Sequence, residues 1–183
     1  DDSDGDGYSL ALYGHYLTEV TANSQITIIR EIWEDFSIAS SSNVLLSIDE
    51  VLNNTYSVEF IETWVDFCSR NFFNSSYTNM NSNFYFYEDQ IITEPIVSQS
   101  THNLTSSTII DDIDLNTKSI KLVTYSSTNN RLISIDNVDD NLFGQYVITS
   151  DNLVNHKIGD ISNGKIIFLK VSDKLHILLG AFE

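Results

Sequence analysis

The sequence predicts a mainly β fold (β-rich α+β), an antiparallel barrel or sandwich with one or two short helices near the N-terminus. Three observations predict it. Isoleucine, phenylalanine and tyrosine are heavily used, at 22, 10 and 9 residues, and β-branched and aromatic side chains favour pleated, half-buried surfaces. The last third breaks into short apolar runs separated by Ser, Asn and Asp clusters, the punctuation of strands and turns. Only residues 25–38 carry a plain helical stripe. A chain of 183 residues, 42% of them hydrophobic, can bury a core without staples. It reads as a flexible acidic leader over residues 1–7, followed by a single β-rich domain over residues 8–183.

The leader holds no apolar side chain, so burial cannot offset the entropy of ordering it. Residues 10–20, with Leu12, Tyr13, Tyr16, Leu17 and Val20, are rich in β-favouring side chains and read as a first strand. Ile28, Ile29, Ile32, Trp33 and Phe36 then recur at helical spacing between Arg30, Glu31, Glu34 and Asp35, and Asn23 or Ser24 stands where a cap belongs. Ser47 and Glu50 have capping-box spacing and predict one short helical turn. Tyr56, Val58 and Phe60 alternate with polar residues, which favours a strand over 56–68, although Ile61, Trp64, Val65 and Cys68 also fit a helical face. Residues 74–83 read as a polar loop, and residues 84–87 and 91–93 read as strands. Further on, 119–125 and 131–136 flank a polar link and read as a hairpin. Residues 144–150 form a strand, and 165–171 with 174–181 form a tight hairpin around Ser172 and Asp173. Ile166 to Leu169 and Ile177 to Leu179 lack alternation, which predicts that this last pair is covered on both faces.

Charge narrows the function classes. The chain carries 26 acidic against 9 basic side chains, a formal net charge of −17. Residues 1–117 hold 19 acids against Arg30 and Arg70, whereas residues 118–183 hold 7 acids against 7 bases and contain every lysine. Such a balance argues against gripping nucleic acid, whose phosphates need clustered cations. No apolar run is long enough to span a bilayer as a helix. One cysteine, Cys68, excludes an internal disulfide framework. With the hydroxyl- and amide-rich composition and the acidic leader, it points to an extracellular or cell-surface address.

Asp2, Asp4 and Asp6, interleaved with Ser3, Gly5 and Gly7, match the opening of a calcium loop, where alternate carboxylates converge on one hard cation and glycine permits the turn. The six residues resemble the start of an EF-hand, a dockerin or a thrombospondin type 3 loop, but Tyr13 stands where an EF-hand needs its closing carboxylate. Asp112, Asp114 and Asn116, and Asp136, Asp139 and Asp140, offer two further oxygen clusters in turns. Calcium is the cofactor these nine residues predict, against the plainer reading that Asp and Asn simply form turns. No nucleotide-binding, serine-hydrolase or zinc-protease motif is present, and His15, His102, His156 and His176 never occur as close pairs. His176 reads as a strand residue that points outward or is hydrogen-bonded, and Cys68 as a small buried hydrophobe. Tyr77, Tyr85 and Tyr87 flank the polar loop and offer a ligand mouth or a self-association face.

The acidic leader resembles the tract that follows the lipidated cysteine in surface lipoproteins of Bacteroidota. Leu12 to Val20, with Gly14 and Tyr16, resembles the first strand of lipocalin-like domains, with Tyr16 in the place of the tryptophan. The resemblance covers about twenty residues, and it implies an up-and-down barrel with a ligand cavity or a contact surface. The expected function is therefore a non-enzymatic binding or assembly domain, whose partner is a protein, a glycan or a copy of itself. A carboxylate-based glycan hydrolase and a carrier of small apolar ligands are the alternatives.

Overall fold

Helix opens the chain at the place where the sequence predicts a strand. In the computed structural model, which describes residues 6–39, 43–76, 98–104, 109–110, 119–135, 142–150, 153–161 and 164–181, α1 spans Asp6–Tyr16 and runs into a π-helical turn, Leu17–Thr21. Tyr13, Tyr16 and Leu17 are buried at i, i+3 and i+4, a spacing that only a helix places on one face. Burial there outweighs the β preference of the individual residues. The segment that resembles a lipocalin-like first strand is thus helical, and α1 begins at Asp6.

α2 (Thr27–Ile38) forms where the stripe predicts it, with Ile28 and Ile32 inward. Asn23 and Ser24 do not cap it. Both take positive φ in the preceding turn, and the Ser24 hydroxyl donates to Glu19 at 2.8 Å. α3 (Val44–Val51) starts earlier than the Ser47 box: the Asn43 side chain accepts from the Leu45 amide at 3.1 Å, and Ser47 is buried within the helix. A second π-helical turn, Leu52–Tyr56, precedes α4 (Phe60–Ser76), which occupies the stretch where alternation favours a strand. Asp49 of α3 accepts from the Phe60 amide at 3.0 Å, satisfying a donor at the start of α4.

The chain divides into two compact units, the first ending at Phe67 and the second beginning at Cys68, within α4. In the first unit Tyr13 meets Phe60, Trp64 and Phe67 edge-on at 4.9–5.9 Å. Its hydroxyl pairs with that of Thr63 at 2.6 Å, and Tyr16 donates to Asp66 at 2.7 Å. Aromatic burial with each phenol satisfied fixes α1 against the first turns of α4.

Among the described residues the second unit carries two sheets. β1 (Ser98–Leu104), β3 (Ser119–Ser127), β8 (Asp173–Ala181), β5 (Leu142–Ser150) and β6 (Leu153–Asp160) form one, in that order; β2 (Ile109–Ile110), β4 (Arg131–Ile135) and β7 (Lys165–Leu169) form the other. The sheets are open, so among the described residues no barrel closes, and β1–β3 and β2–β4 are parallel pairs. The fold is mixed α+β, with four α-helices among the described residues where the sequence predicts one or two. Val123, Tyr125, Ile148, Leu175, Ile177 and Leu179 of the larger sheet share one core with Ile133, Ile135, Ile167 and Leu169 of the smaller.

Neither predicted hairpin forms. β3 and β4, consecutive in sequence, lie in different sheets, as do β7 and β8; β3 pairs with β8 and β4 with β7, both antiparallel. The short polar links are corners at which the chain changes layer. Ser127 Oγ accepts from the Asn129 amide and from Arg131 Nε, while Asn130 Oδ1 accepts from the Val171 amide at 3.1 Å and ties one corner to the other. Crossing between layers lets both members of each pair turn apolar side chains into the same core, which in-sheet pairing would not require.

Candidate functional site

The smaller sheet has one dry face and one wet one. Ile133, Ile135, Ile167 and Leu169 point inward and are at most 3% exposed. Their neighbours point the other way: Leu132 is 59% exposed, Ile166 66% and Phe168 45%, and Val171 in the following turn is 54% exposed. Leu132 lies directly opposite Phe168, and Ser134 opposite Ile166, so three of these side chains share one continuous patch. Residues 166–169 read as doubly covered because the outward positions are as apolar as the inward ones. β8 meets that expectation, being buried from Leu175 to Gly180, whereas β7 alternates. An apolar sheet face left in water is costly, and contiguous patches of this kind are commonly contact surfaces. β7 also ends its sheet, pairing only with β4 among the described residues, so a row of backbone groups stands at the edge of the patch.

β4, β7 and the turn over residues 170–172 carry Arg131, Lys165 and Lys170 and no carboxylate, in a chain of net charge −17. Only Lys170 shares the outward parity of Ile166 and Phe168; Arg131 and Lys165 are in register with the inward Leu169 and Ile135. Lys165 reaches over the Tyr146 ring, its Nζ 5.4 Å from the centroid, and Lys170 is exposed. The Lys170 amide donates to the buried Asp173 carboxylate at 3.2 Å, which spends that acid on the corner rather than on the face.

The opposite face of the larger sheet holds the most unusual polar group. His176 is 3% exposed, with Thr124 Oγ1 3.0 Å from Nδ1 and Thr149 Oγ1 2.8 Å from Nε2. Phe72 of α4 lies 6.4 Å away, ring to ring. Burial, reinforced by the Lys174 charge, pushes the imidazole pKa down to about 4. The ring is therefore neutral near pH 7, donating from one nitrogen and accepting at the other. Hydroxyls from the two flanking strands engage both nitrogens, so the ring ties strands β3, β8 and β5 together. Cys68 is likewise buried, and desolvation pushes its thiol up to about 12, leaving no thiolate to attack or to ligate.

The calcium candidates mostly fall outside the described residues. Asp2, Asp4, Asp112, Asp114, Asn116, Asp136, Asp139 and Asp140 all lie there, and Asp6 is the first residue of α1. Among the described residues no three His, Cys, Asp or Glu side chains converge on a metal position. Tyr77, Tyr85 and Tyr87 also lie outside them. His102 stacks on Tyr125 with centroids 5.5 Å apart, and His15 sits in the last turn of α1. No helix among the described residues is long and apolar enough to cross a membrane. The residues that sequence reading misses are Leu132, Ile166, Phe168 and Val171. Their one visible signal is the alternation of Lys165, Ile167 and Leu169 with Ile166, Phe168 and Lys170, which gains meaning only once β7 is known to have a single covered face. No known protein family, curated protein or solved structure matches the chain.

Proposed function

We propose that this chain is a non-enzymatic binding and assembly domain that joins a protein partner through the outer face of β4 and β7. The observation that carries the reading is the exposed patch of Leu132, Ile166 and Phe168 beside the edge of β7, which no second strand pairs among the described residues. A partner that covers the patch removes apolar surface from water, and one that adds a strand also satisfies the edge. The buried histidine and cysteine argue in the same direction, since the two side chains best suited to chemistry are committed to packing. A role at the cell surface or outside the cell suits the acidic, hydroxyl-rich composition and the lone cysteine. The test places a photo-crosslinking amino acid at position 168, and at exposed Lys174 as a control, in the cells that make the protein. A discrete adduct from position 168 alone is expected; no adduct, or equal adducts from both positions, contradicts the reading.

A further inference from the structure

We draw no further inference here: the strongest candidate, the exposed apolar stripe of Ile26 and Trp33 along one side of helix α2, is an unpartnered helix face, and nothing in the structure shows what covers it.

Discussion

Acid should destabilise the strand-bearing unit through one side chain, His176. Its ring is buried between Thr124 and Thr149, and its pKa is pushed down to about 4 from an ordinary 6.5. In the unfolded chain the imidazole protonates at its ordinary value, so between about pH 6.5 and pH 4 the unfolded state binds a proton that the folded state refuses. Stability attributable to this group is complete above that window, falls as pH drops through it, and levels off below. At about 1.4 kcal/mol per pKa unit the full effect is about 3 kcal/mol, of which about 2 kcal/mol is lost between about pH 7 and pH 4.5. The many carboxylates also titrate there, so the comparison is with His176→Gln, whose amide still reaches for hydroxyls but does not titrate. Urea unfolding of both proteins at the two pH values should show the wild type losing about 2 kcal/mol more than the variant. A ring that NMR finds titrating near 6.5, or parallel losses in the two proteins, would refute the burial argument.

Three further outcomes follow from the packing. Gly144→Ala should destabilise by about 1–3 kcal/mol in chemical denaturation, because an added Cβ would stand 2.6 Å from the Leu179 side chain and 3.1 Å from Ile161. Asn43→Ala removes the cap of α3 and should lower stability by about 1 kcal/mol, whereas a cap at Ser47 would leave it unchanged. Cys68, buried with a pKa near 12, should react with a thiol reagent at least ~100-fold more slowly in the native protein than in denaturant; equal rates would show that the thiol is open to solvent.

Sequence reading reached some of this fold and missed the rest for physical reasons. α2 was legible because Ile28 and Ile32 repeat at a spacing only a helix rewards, and β5 and β8 because their apolar runs are bounded by turn residues. α1 and α4 were not, since Tyr13, Tyr16, Phe60 and Trp64 are β-favouring singly and become helical through contacts fifty residues apart. The two false hairpins share one cause. Asn129 and Asn130, or Ser172 with Asp173, say that the chain turns, but not whether it returns to the same layer. Exposure at Ile166 and Phe168 is the hardest feature to foresee, because a run of Ile, Ile, Phe and Leu reads as core until the one-sided packing of β7 is known.

The central claim is that the β4–β7 face is covered when the protein works. Hydroxyl-radical footprinting tests it most directly, reading oxidation at Leu132, Ile166 and Phe168 in the dilute purified chain and again in the cells that produce it. The account predicts ready oxidation of all three in dilute solution and strong protection in the cell, with Lys174 unchanged. Equal oxidation in both settings would contradict it.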